Sequence, residues 1–119
     1  MSAGFPSPAQ DYLDGKLDLN SYLIKHPAAT FFMRMTGDAM IDAGIFDNDL
    51  LIVDRSIEPQ NNSIINAVIN GELTVKKIIS NQKGIYIQSS LKENNIKITE
   101  DIDFTIWGVV TKVIHELHR

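Results

Sequence analysis

The run Thr36-Gly37-Asp38-Ala39-Met40 leads directly into IDAGIFDNDLLIVD, a glycine-aspartate turn ahead of a short helical element and a buried strand. Such a turn is a natural place to mount a nucleophile, yet the residue at its focus, Ala39, carries no reactive atom. The other residues that invite a chemical reading are Lys76 and Lys77, on the second arm of a hairpin marked by Asn70-Gly71. Adjacent strand residues face opposite sides, so at most one of them enters a site. Periodicity does not choose between them, because Thr74/Lys76/Ile78 and Val75/Lys77/Ile79 are both mixed sets. Taken as an isolated pair, they read as solvated edge lysines.

The remaining candidates favour plainer readings. The HELH run places His115 and His118 three apart, whereas the zinc-protease motif needs a spacing of four on a helix. On a strand end that spacing sends the two rings to opposite faces, so solvated histidines are expected and no metal site, there or at His26. Asp38, Asp42, Asp47, Asp49 and Asp54 are dense, but they lack the glycine and glutamate positions of an EF-hand loop. Turn and cap duties are the expectation for them.

These residues need a scaffold, and the bulk sequence supports one. A chain of 119 residues, 44% hydrophobic and 22% charged, suffices for a single folded domain. A formal charge of −4 argues against a broad electrostatic grip on a phosphate backbone, so any nucleic-acid role would run through a partner protein. The absence of cysteine removes disulfides and thiolate chemistry. No cofactor is implied. Neither a secretory signal nor a membrane-spanning run is visible, and a cytoplasmic location is expected.

Prolines at 6 and 8 make residues 1–8 an extended arm, followed by a domain over 9–119. Two short helices are expected, about Ala9–Leu13 and Leu19–Lys25, the second capped by Asp18 and limited by Pro27. From Thr30 the pattern turns to strands: TFFMRM; DLLIVD, continuous enough to be buried on both faces; SIINAVI and ELTVKKII around the Asn70-Gly71 turn; GIYIQ; NIKIT; and DFTIWGVVTKVIHEL, with Gly108 a candidate bulge. The fold class is mainly β, with short strands and a few helical turns.

Several of these pieces, AGFPSPAQDY, LDLNSYLIKHPAATFFMRMTGDAMIDAGIFDNDLLIVDRSI, GELTVKKI and WGVV, occur in the order found in one family. From about Ala3 to Val110 the chain resembles the LexA/UmuD serine-lysine self-cleaving peptidases, which share a signal-peptidase-like β-fold. Within that family it is most similar to the UmuD-type accessory subunits of error-prone polymerases in the SOS response. The resemblance implies that Ala39 stands at the nucleophilic serine of a Ser-Gly-x-Ser-Met motif. It also implies that Lys76, 37 positions on (39 to 76), is the general base, and that Ala3-Gly4 is the scissile bond.

The implied chemistry is coherent. A serine hydroxyl needs a base, and a lysine serves only when neutral, a form that burial favours. Backbone N–H groups of Asp38, Ala39 and Met40, at the start of a short helix, would hold the oxyanion. An alanine in an otherwise intact motif reads as an engineered serine-to-alanine change. Natural loss is the alternative, because the processed form of such a subunit works without further cleavage. Three residues precede Gly4, so the chain resembles that processed form. The implied partners are a second copy, a UmuC-like polymerase catalytic subunit and a RecA-like recombinase filament. The alternative is the dimerisation and self-cleavage domain of a LexA-like or phage-type repressor.

Overall fold

The computed structural model describes residues 18–89 and 95–117. The arm 1–8, the Ala3-Gly4 bond, the helix expected at Ala9–Leu13 and His118 lie outside them. Asp18 caps α1 (Leu19–Leu23) as expected, its Oδ1 accepting from the N–H of Asn20 at 3.0 Å. The helix closes two residues earlier than expected, because Ile24 is already extended and Pro27 opens a separate 3-10 turn, Pro27–Ala29.

Seven strands follow among the described residues: β1 (Thr30–Arg34), β2 (Leu50–Asp54), β3 (Ile64–Ile69), β4 (Glu72–Asn81), β5 (Gly84–Gln88), β6 (Ile96–Lys97) and β7 (Phe104–Ile114). They form one antiparallel sheet in the order β1-β2-β7-β3-β4-β5-β6. The mainly β expectation holds, although NIKIT is reduced to the two-residue edge strand β6.

Asn70 and Gly71 adopt φ of 50° and 84°, the left-handed pair that a two-residue hairpin requires, so β3 and β4 pair in full register from Ile69↔Glu72 to Ile64↔Lys77. β2 is buried from Leu51 to Asp54, as its unbroken apolar run predicts. Leu51 and Val53 join Met35, Met40, Ile45 and Val75 in one core, while Ile65, Ala67 and Ile78 form a second. Side chains on both faces of β4 are therefore buried.

β7 is the long final strand, and its pairing slips at two places. Asn66 faces Gly108 while Ala67 faces Ile106, which leaves Trp107 as the extra residue beside the predicted glycine. A second slip lies where Ile52 faces Lys112 and Val53 faces Val110. Gly108 is required for space: an added Cβ would lie 2.6 Å from Val53 Cγ1 and 3.0 Å from the Asp54 carbonyl oxygen. Gly108→Ala is expected to lower stability by about 1–3 kcal/mol, read as a lower denaturant midpoint with an unchanged slope.

Candidate active site

The Thr36–Met40 turn leaves the end of β1 and is fixed at three points. Gly37, at φ 88°, donates its N–H to Asp47 Oδ1 at 2.7 Å. The Asp38 carbonyl accepts from Ile41, and Met40 is wholly buried in the first core. The 3-10 turn begins at Ile41 and ends at Ala43, so Asp38, Ala39 and Met40 precede it. This corrects the expectation that they open the helical element: they lie in the turn ahead of it, and Met40 is its N-cap residue. Their N–H groups find no acceptor among the described residues. Ala39 itself is exposed.

Met33, Met35, Thr36, Ala39, Leu73 and Lys76 line one cleft of about 410 Å³. Arg34 and Glu72 add its other charged groups. Lys77, the neighbour that periodicity could not separate from Lys76, is absent from that lining. Lys76 is half-buried, and its Nζ donates to the Ser89 hydroxyl. Ser89, a residue the sequence reading missed, is 9% exposed. The β4–β5 register ends at Lys77↔Gln88, and Lys76 and Ser89 are the next residues on either side of that pair. That register is the signal that would have found it. A turn able to hold a small nucleophile, backbone donors without acceptors among the described residues, and Lys76 thus border one cleft, an arrangement compatible with serine-lysine acyl transfer once residue 39 has a hydroxyl.

The acidic residues do serve turns: Asp47 as above, Asp49 accepting from Phe46 N–H at 2.8 Å, and Asp54 from Ser56 N–H at 2.8 Å. His115 is exposed, as expected, but it also has a partner that the sequence did not reveal. Its Nδ1 lies 2.6 Å from Oδ1 of buried Asp49, and His26 Nδ1 lies 2.5 Å from Oδ2 of buried Asp54. Burial pushes the Asp49 carboxyl up, but the Phe46 N–H bond, the His115 bond and the His115 charge together hold it below its ordinary 3.8. Burial likewise raises Asp54, and bonds from Ser56 and His26 outweigh it.

A carboxyl lowered in the fold stabilises above its unfolded value, and that contribution is lost as pH falls through the folded value. Stability should therefore drop below about pH 4. His115→Ala should lower stability at neutral pH and flatten that acid limb, as read from denaturation at a series of pH values.

Known proteins resemble this chain along almost its whole length. Protein ImpA of Escherichia coli is 48% identical over 114 residues, covering 95% of this chain and 77% of ImpA. Protein MucA of Escherichia coli is 40% identical over 117 residues, covering 98% and 80%. The LexA repressor of Colwellia psychrerythraea is 31% identical over 117 residues, covering 96% and 54%. The Peptidase S24-like family matches residues 1–111. With relatives of this identity along almost its whole length, the chain belongs to the Peptidase S24-like family of LexA- and UmuD-related proteins.

Proposed function

We propose that this chain is a UmuD-type accessory subunit of an error-prone translesion polymerase in the SOS response, built on a self-cleaving peptidase scaffold with alanine at the nucleophile position. The observation that carries the peptidase part is the shared cleft of Ala39 and Lys76. In this reading Lys76 is the general base, the N–H groups of Asp38, Ala39 and Met40 are the oxyanion donors, and Ala3-Gly4 is the substrate bond. Ala39 replaces a serine, as an engineered change would. The subunit role is supported by identity: the chain is 48% identical to ImpA and 40% to MucA, against 31% to the LexA repressor. The repressor-domain reading rests on that last relative.

The partners in this reading are a UmuC-like catalytic subunit, a RecA-like filament and a second copy of the chain, all in the cytoplasm. Among the described residues no helix is long and apolar enough to cross a membrane. β1 forms one sheet edge and exposes Phe32, a feature that pairing between copies would cover. Sedimentation should give a dimer at micromolar concentration, and a species of about 13 kDa throughout would count against it.

The subunit role is tested in cells that keep a UmuC-like polymerase but lack its UmuD-type subunit. Expression of the chain as it stands should restore damage-induced mutagenesis, since that role needs no further cleavage. A well-expressed chain that restores none refutes the role, and silencing of damage-inducible promoters would favour the repressor reading.

A further inference from the structure

Position 39 lies on a loop that leaves β1 and returns to β2, and the returning leg holds the outgoing turn at two points. Just before Ala39, Gly37 donates its N–H to Asp47 Oδ1 at 2.7 Å. Just after it, the Met40 carbonyl accepts from Ile45 N–H at 3.1 Å. The place of residue 39 is therefore set by residues 45–47. Those residues depend in turn on Asp49, a carboxylate only 2% exposed. Its Oδ2 accepts from Phe46 N–H at 2.8 Å, and its backbone carbonyl accepts from Met35 N–H at 2.9 Å across the neck of the loop. Its Oδ1 lies 2.6 Å from His115 Nδ1, and the His115 ring centre lies 5.0 Å from that of Phe46. His115 follows the last residue of β7 and is absent from the lining of the Ala39 cleft.

We propose that His115 is a positioning residue for the loop that carries position 39, clamping its returning leg through the Asp49 carboxylate. A buried carboxylate has to be satisfied by donors. With Nδ1–H on Oδ1, Oδ2 stays aimed at the Phe46 amide; without it, the carboxylate is drawn toward water and its hold on the returning leg loosens. The clamp requires that a neutral imidazole carry its proton on Nδ1 and leave Nε2 to solvent. The other charged groups around this recess do not replace it. Asp47 and Glu116 are acceptors when ionised, and Arg34 gives Nη1 to the Asn48 carbonyl at 3.1 Å. His115 acts on residue 39 only through the loop. This inference rests on the reading of position 39 as the nucleophile's.

Two measurements test it, and the first needs no peptidase activity. In the chain with Ala39, ring-nitrogen chemical shifts of neutral His115 should show the proton on Nδ1, and a proton on Nε2 overturns the proposal. His115→Phe keeps a ring against Phe46 but has no donor, whereas His115→Asn places an amide N–H near the site of Nδ1–H. Hydrogen exchange of the Met35, Phe46 and Asn48 amides should quicken about tenfold in His115→Phe, well beyond any change in β3 and β4, and slow again in His115→Asn. Unchanged exchange at those three amides, or an equal rise throughout the sheet, overturns the clamp. The second measurement uses Ala39→Ser, supplied in trans with a peptide spanning the Ala3-Gly4 bond. Adding His115→Phe should cut kcat about tenfold to a hundredfold with KM little changed, and His115→Asn should recover most of it. An undiminished kcat in the phenylalanine variant, or a loss that appears in KM instead, overturns positioning. If Ala39→Ser proves inactive, the peptidase reading fails, and the exchange rates still decide whether His115 clamps the loop.

Discussion

Ala39→Ser is expected to give a protein that hydrolyses the Ala3-Gly4 bond, where the chain as it stands leaves that bond intact. The change adds one oxygen at an exposed position on a cleft that Lys76 also lines, beside backbone N–H donors without acceptors among the described residues. Loss of one member of a nucleophile–base pair costs up to about 10⁶ in rate, so a gain of several orders of magnitude lies within reach of a single hydroxyl. Asp38→Ser, which puts a hydroxyl one residue away, should yield no cleavage. The new hydroxyl faces solvent, so stability should change by no more than about 0.5 kcal/mol. Product mass against time, from neutral to alkaline pH, reads all of these outcomes.

Met40→Ala should have the largest effect on stability, about 2–5 kcal/mol. Met40 is wholly buried among Met35, Ile45, Leu51, Val53 and Val75, and it ties the candidate nucleophile turn to β2 and to the strand that carries Lys76. Truncation leaves a cavity where the turn is anchored. The melting temperature should fall by the order of 10 °C, and an Ala39→Ser protein carrying this change should lose rate even at temperatures where it stays folded. A loss below about 1 kcal/mol would mean that the turn is held by its hydrogen bonds alone.

How far the fold could be read from sequence depended on whether the controlling interaction was local. The Asn70-Gly71 hairpin was legible because both turn residues tolerate positive φ, and its register follows from a two-residue turn. β2 was legible as an unbroken apolar run. Lys76 and Lys77 could not be ranked by period, because Val75 and Ile78 are buried on opposite faces of β4 and erase the alternation. The pairing of His115 with Asp49 joins residues 66 positions apart through the β2–β7 register, which no local pattern encodes. Ser89 needed the β4–β5 register before its place beside Lys76 could be seen. The turn at Asp38–Met40 was legible, but its helical start was set one to three residues too early, since the 3-10 turn opens at Ile41 with Met40 as its N-cap.

The pairing of position 39 with Lys76 is tested most directly by mass spectrometry of Ala39→Ser beside Ala39→Ser/Lys76→Ala, each incubated at alkaline pH with the same peptide spanning the Ala3-Gly4 bond. The single variant should produce fragments ending at that bond and the double variant none, with Ala39→Ser/Lys77→Ala cleaving like the single variant. Equal cleavage with and without Lys76, or an intact bond after days with a folded Ala39→Ser protein, would contradict a serine-lysine site at this cleft.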